Sequence, residues 1–203
     1  MRIEPLGVEG AYAITPVQHP DSRGSFLEWY RADLFAEVTG HPVRLEQANT
    51  SVSARGTVRG VHFADTPPGQ AKYVTCLRGA ILDFVIDVRV GSPTFGQHRV
   101  VRLDDVHRRG VYLAEGLGHA ICALEDHSTL LYLCSERYNP GAERAISPLD
   151  PDLQLELPFG RGELILSDKD AGAPALAELA AAGALPDYDS CVLWYSKLKT
   201  EGV

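Results

Sequence analysis

Apolar and polar positions alternate with a period of two through much of the chain. The clearest case is AILDFVIDVRVGSPTFG, where Leu82, Phe84, Ile86 and Val88 alternate with Ile81, Asp83, Val85, Asp87 and Arg89. One face is wholly apolar. The other mixes apolar with charged residues, as a strand lining a polar cavity would. Gly91-Ser92-Pro93 ends it as a turn. Further strands are predicted at Tyr73–Leu77, His98–Leu103, Val111–Leu113, His119–Leu124 and Thr129–Cys134. Glycines and prolines separate these short segments, the punctuation of an all-β sandwich or jelly roll. Helical spacing is seen early, in Ala32–Val38, where Leu34, Phe35 and Val38 form a stripe and Gly40 offers the stop. It is seen again late, in APALAELAAAG, with Pro174 near the start and Gly183 past the end. The alternating helices of a parallel α/β fold have no room here.

Composition narrows the function. The chain has 203 residues, of which 45% are hydrophobic and 23% charged, enough for one good core and too apolar for a disordered chain. A net charge of −8 argues against a nucleic-acid groove or an anionic membrane surface, which need a basic footprint. No apolar run has the length of a membrane helix, and MRIEPLGVEG has no apolar signal-peptide core. Cys76, Cys122, Cys134 and Cys191 form no CxxC pair, so reduced thiols and a cytoplasmic location are expected. A few cations gathered in one cavity still suffice to hold a small anion in an acidic protein.

Three blocks concentrate polar residues: DSRGSFLEW with Arg23 and Glu28; QANTSVSARGTVRGVHFADTPPGQAKYV with Gln47, Asn49, Arg59, His62 and Lys72; and LSDKDAGAP with Lys169 and Asp170. A metal site is not expected. The HxH pair common in jelly-roll metalloenzymes is broken by Ala64, and adding His119 does not fill a set of three or four ligands. Neither GxSxG, GxxxxGK[ST] nor GxGxxG is present. Acid–base chemistry remains, with His62 as the side chain best suited to move a proton near neutral pH. Taken alone, a histidine such as His62 is more often structural than catalytic, and Arg59 and Lys72 are, singly, usually solvated surface charges. Gly56 and Gly60, singly, are turn residues.

The co-occurrence of these blocks is more telling. RGVHF followed by PPGQAKYV and then DVRVGSPTFG resembles the nucleotide-sugar 3,5-epimerase family, best known for acting on dTDP-4-dehydro-6-deoxyglucose in rhamnose synthesis. DSRGSFLEWY is similar to its D-x-RG-x-F-x-E block, QANTSVSARGTVRGVH to its Q-x-N-x-S-x-S-x-x-G-x-x-RG-x-H block, and LSDKDAGAP to its LS-x-KD-x-x-AP block. The blocks run from residue 21 to residue 174 in the family order. The resemblance implies a metal-free and cofactor-free cupin-type jelly roll, a homodimer, and a dTDP-4-keto-6-deoxyhexose as substrate. It implies one domain over 1–203, with a jelly-roll core at about 45–150 and a C-terminal helical segment at about 173–203.

Roles follow from the same resemblance. His62 matches the catalytic base and Asp170 the carboxylate that orients it. Lys72 matches the residue near the substrate carbonyl, and Tyr132 the acid on the opposite sugar face. The strand pattern alone would make Tyr132 a core aromatic. Tyr138 matches the ring that stacks on thymine. Arg23, Glu28, Gln47, Asn49, Arg59, His119, Glu143 and Lys169 match positions that hold nucleotide and sugar. The residue types suit the chemistry: a C4 ketone acidifies C3–H and C5–H, the enolate needs a cation or donor, and inversion needs an acid opposite the base.

The chain departs from the family pattern at Leu117, Ala120 and Ile121, where GLGHAI replaces GFAHGF, and at Ala64. These changes are expected to border the sugar pocket, and so to bear on which sugar is taken and on whether C3, C5 or both are inverted. LPDYDSCVLWYSKLKTEGV resembles tails of the antibiotic-deoxysugar branch, which includes mono-epimerases. Two readings of other classes are a metal-dependent cupin oxygenase and a sugar-nucleotide binding protein without turnover.

Overall fold

The computed structural model describes residues 1–201. Thirteen strands occur among them: β1 Arg2–Pro5, β2 Ala11–Thr15, β3 Gln18–Asp21, β4 Gly24–Leu27, β5 Gln47–Ser53, β6 Val58–Ala64, β7 Lys72–Arg78, β8 Ala80–Ile86, β9 His98–Asp104, β10 Gly110–Leu113, β11 Gly118–Ala123, β12 Ser128–Cys134 and β13 Glu143–Ala145. Six form one sheet in the order β1-β2-β10-β7-β12-β5, and five form a second in the order β13-β6-β11-β8-β9. The pairings within both sheets are antiparallel, and β3–β4 make a separate hairpin. The expected all-β jelly roll is the observed architecture.

The two sheets close on an apolar layer. Val74, Val111, Leu113 and Leu130 of the first sheet meet Ile81, Val85, Leu103 and Ile121 of the second. Each outer face is covered as well. Helix α1, Ala32–Thr39, puts Phe35 among Ile14, Tyr73, Tyr112 and Leu133, with Trp29 stacked on Tyr73 at 4.8 Å. A leucine-rich stretch from Leu153 to Leu185 covers Phe63, Phe84, Ile86 and Cys122. Strands buried on both faces must be apolar on both faces, which accounts for the near-continuous apolar run of β8.

The five strands predicted besides β8 are all present, each within a residue of the expected ends. The early helix ends at Gly40, whose φ of 87° is the left-handed conformation that a C-terminal stop requires. The late pattern forms α3, Leu176–Ala181. It is preceded by the single turn α2, Asp168–Ala171, and followed by α4, Tyr188–Glu201. Of the segment read as helical, residues 202 and 203 lie outside the described residues. One expectation needs correction. Asp87 and Arg89 do not line a cavity: they lie beyond the end of β8 as a fully buried ion pair at 2.8 Å, completed by Ser92, Thr94 and Tyr195. A buried pair with all its hydrogen bonds made is tolerated where a lone charge would not be.

Candidate active site

At one end of the sandwich the inter-sheet layer opens into a cavity of about 290 Å³, lined by Arg59, His62, Lys72, His119, Tyr132, Lys169 and Asp170 above an apolar floor of Val58, Val74, Ile121 and Leu130. A second lobe of about 320 Å³ is lined by Gln47, Asn49, Gln70, Tyr138 and Glu143 and shares His62, Lys72 and Tyr132 with the first. The three shared residues form the waist between the lobes.

Two sheets supply opposite walls. His62 lies on β6 and His119 on β11, at the same register. Tyr132 lies on β12, and Lys72 opens β7 opposite Cys134 of β12. Along β12, Leu133 packs under α1 while Tyr132 packs against the inter-sheet layer, as strand alternation predicts. Along β5, Gln47, Asn49 and Ser51 line the lobes while Ala48, Thr50 and Val52 face outward.

Alternation alone would send Arg59 away from His62. The β6–β11 ladder shifts register between His119 and Ile121, which pair with His62 and Arg59. The extra residue on β6 is a bulge, and it turns Arg59 onto the cavity face. Gly60 permits it. Its φ is +105°, and a Cβ there would stand 2.3 Å from the His119 carbonyl oxygen. Gly60 is thus a bulge glycine rather than a turn residue. Arg59 is then anchored, with Nε donating to Ser53 Oγ at 3.1 Å.

Asp170 reaches the site from α2, 108 residues away in sequence from His62. Ser167 caps that turn, its Oγ accepting the Asp170 N–H at 3.1 Å. Asp170 Oδ1 meets His62 Nε2 at 2.7 Å, and the Gly60 N–H donates to Oδ2 at 3.4 Å. Burial opposes the Asp170 charge, but the His62 hydrogen bond and charge, aided by Gly60 and Ser167, outweigh it and hold the carboxyl below its ordinary range. An ionised Asp170 keeps the proton on Nε2 and leaves the Nδ1 lone pair free, since no protein group bonds that nitrogen among the described residues.

The remaining waist residues are held less tightly. Lys72 is buried, and among the described residues its ammonium has no hydrogen bond or ion pair. Burial lowers its pKa, partly offset by Glu143 and Cys134. Burial, with help from the Cys134 thiol and Glu143 and against Arg59, raises that of Tyr132, so its phenol stays protonated. His119 Nε2 bonds Asp83 Oδ2 at 2.8 Å. Gln47 Nε2 donates to Asn49 Oδ1 at 2.8 Å, and the Tyr138 N–H donates to Gln47 Oε1 at 2.9 Å, which joins the polar wall of the second lobe. A base, a facing phenol and a buried ammonium around one space form a set able to remove a proton, hold the resulting negative oxygen and return a proton from the other side.

The family model described as dTDP-4-dehydrorhamnose 3,5-epimerase matches residues 5–178. This chain belongs to that family. It is 56% identical over 191 residues, 94% of this chain and 91% of the relative, to a dTDP-4-dehydrorhamnose 3-epimerase of Streptomyces niveus. It is 54% identical over 200 residues, 98% of each, to a dTDP-4-dehydrorhamnose 3,5-epimerase of Mycolicibacterium smegmatis. Among solved structures, NovW, a 4-keto-6-deoxy sugar epimerase from the novobiocin gene cluster of Streptomyces spheroides, superposes with a TM-score of 0.92 at 56% identity, covering 94% of this chain and 95% of that one. ChmJ, a 3′-monoepimerase from Streptomyces bikiniensis in complex with dTDP-quinovose, superposes with a TM-score of 0.94 at 45% identity, covering 97% and 99%.

Within this member of the dTDP-4-dehydrorhamnose 3,5-epimerase family, eleven of the thirteen residues singled out from sequence line the two lobes. Arg23 and Glu28 do not. Arg23 sits on the exposed β3–β4 hairpin paired with Asp21 at 2.6 Å, and Glu28 lies on the surface beside Arg31. Of the residues that depart from the family pattern, only Ile121 lines the first lobe. Leu117 is in the inter-sheet layer, Ala120 packs on the outer face, and Ala64 borders a separate surface pocket. Sequence reasoning missed Ser51, Gln70 and Ser167 as lining residues and Asp83 as the partner of His119. Asp83 had a signal: a carboxylate on a strand face otherwise filled by Ile81 and Val85 needs a partner. Among the described residues no group of three or more His, Cys, Asp and Glu side chains is placed to hold a metal, and the four cysteines are free and buried.

Proposed function

We propose that the protein epimerises a dTDP-4-keto-6-deoxyhexose beside its ketone, as an isomerase in activated deoxysugar assembly, and that C3 is a centre it inverts. C3 is common to the 3-epimerase and 3,5-epimerase relatives. The observation that carries the reading is His62 on one sheet, paired with Asp170 of α2, facing Tyr132 and Lys72 on the other sheet.

In this reading His62 Nδ1 takes the proton α to the C4 ketone, and Asp170 stabilises the imidazolium that forms. The Lys72 ammonium, with no competing protein partner, donates to the enolate oxygen. Tyr132 then gives its proton to the opposite face, which inverts the centre. Arg59 and Lys169 offset the pyrophosphate charge. His119 holds the sugar. Gln47, Asn49, Tyr138 and Glu143 receive the nucleoside in the second lobe, with Tyr138 stacked on the base. No metal or redox cofactor enters these steps.

The same reading treats 1–203 as one domain and the protein as a cytoplasmic homodimer. Free thiols support the compartment. The dimer is supported by Arg23 and Glu28: if they hold nucleotide, the exposed hairpin that carries Arg23 and Phe26 has to reach the cavity of a second copy.

Tyr132→Phe tests the proposal in D₂O. It removes only a hydroxyl, so His62 still forms the enolate and deuterium returns from the original side. The expected result, read at C3 and C5 in one NMR time course, is substantial exchange with little inverted product. Normal inversion would make Tyr132 a packing residue. Equal loss of exchange and inversion would place it in the first step.

A further inference from the structure

Lys72 depends on its backbone for its position, because no protein group holds its ammonium among the described residues. The chain enters β7 through Gly69-Gln70-Ala71, and that entry is clamped from the outer side of the sheet. Beyond the last β7–β12 register pair, the Ser135 N–H donates to the Ala71 carbonyl at 3.0 Å. The Ala71 N–H, which is buried, donates to Ser135 Oγ at 2.8 Å. Ser135 Oγ in turn donates to Glu115 Oε1 at 3.0 Å. A hydroxyl has one proton, and giving it to Glu115 aims a lone pair at the Ala71 N–H.

Glu115 is itself buried against this turn. A Cβ at Gly69 would stand 2.7 Å from Glu115 Cβ. The Glu115 carbonyl accepts from Tyr195 Oη of α4, and that phenol accepts from buried Arg89 at 3.2 Å. Glu115 lines neither lobe of the cavity, so it touches no reacting atom.

We propose that Glu115 is a positioning residue for Lys72, acting through the Ser135 hydroxyl and the Ala71 N–H that fix where β7 begins. The inference rests on the role given to Lys72 above. Misplacing an enolate donor by a fraction of an ångström lowers turnover without loosening the nucleotide.

The test compares Glu115→Ala, Glu115→Gln, Ser135→Ala and Lys72→Ala by solvent exchange, with the concentration of folded sites counted by dTDP titration. Glu115→Ala and Ser135→Ala are expected to lower kcat per site about 10- to 100-fold, with KM and dTDP affinity unchanged. Glu115→Gln is expected to recover most of that loss, because its amide oxygen still accepts from Ser135. Glu115→Ala added to Lys72→Ala is expected to cost nothing further. Unchanged kcat per site in Glu115→Ala and Ser135→Ala, with Lys72→Ala impaired, overturns the proposal and leaves the role of Lys72 standing. An additive double variant overturns it as well. Full turnover by Lys72→Ala overturns the role of Lys72 and this proposal with it. If Glu115→Ala fails to fold, Ser135→Ala decides the question.

Discussion

His62 and His119 stand at the same register on neighbouring strands, and each sets Nε2 against an aspartate, at 2.7 and 2.8 Å. Their surroundings differ. The His62 side chain is 33% exposed and that of His119 13%. Asp170 arrives on a separate helical turn and meets the Gly60 N–H with its second oxygen. Asp83 comes from the adjacent strand, is wholly buried, and its second oxygen has no partner among the described residues. Two histidine–aspartate pairs of similar geometry are thus suited to different work. One imidazole presents a lone pair to an open space, and the other is braced into a wall. Access and the satisfaction of the carboxylate separate a base from a binding group more clearly than the pair itself does.

Removing each partner in turn can break that comparison. His62→Ala is expected to cost the most, about 10³- to 10⁴-fold in exchange at the centres the enzyme acts on. Near wild-type exchange would require another base. Asp170→Asn is expected to cost about 10²-fold, through loss of the Nε2 tautomer and of charge support, and to show in kcat rather than KM. Asp83→Asn is expected to cost about tenfold or less and to show mainly in KM, because the role proposed for His119 is to hold rather than to react. If the two asparagine variants fell equally in kcat, the division of labour would be wrong.

Lys72 supplies the smallest effect, and it is one of stability. It is the buried charge at the waist with no carboxylate bonded to it. Burial depresses its pKa in the fold, so the folded state binds its proton less tightly than the unfolded state does. Stability contributed at this position therefore rises with pH, from the depressed value toward the ordinary lysine value. Lys72→Met removes that pH dependence and is expected to stabilise the inactive protein at neutral pH by about 1–2 kcal/mol, a few degrees in Tm. A destabilised Lys72→Met would show that the ammonium is better solvated in the cavity than its burial implies.

Legibility in the sequence followed burial. β7 through β12 were readable because one face at least is apolar and alternation survives. β5 was not, because its inward side chains are Gln47, Asn49 and Ser51, which look like chemistry rather than a strand. β6 was hidden by its bulge, which breaks the period at Gly60. β1 and β2 escaped because their burial does not alternate: β1 is exposed except at Ile3, and β2 buries Ala11 and Ile14, three residues apart. The site was legible mainly as a resemblance. His62 and Asp170 meet only through tertiary structure, and no local pattern relates β6 to α2. Arg23 and Glu28 show the limit in the other direction: their motif was plain, yet in one chain they stand apart from the cavity.

The waist formed by His62, Lys72 and Tyr132 also bears on inhibitor design. Each lobe alone is small, and a fragment filling one leaves the other open. Two weak fragments, one per lobe, joined by a short rigid tether across the waist, would bind as a bivalent ligand whose second contact is intramolecular, and avidity can exceed either single affinity by about 10²- to 10⁴-fold. The tether would lie against the groups proposed to transfer protons, so a compound that gains from linkage would also occlude the proposed chemistry.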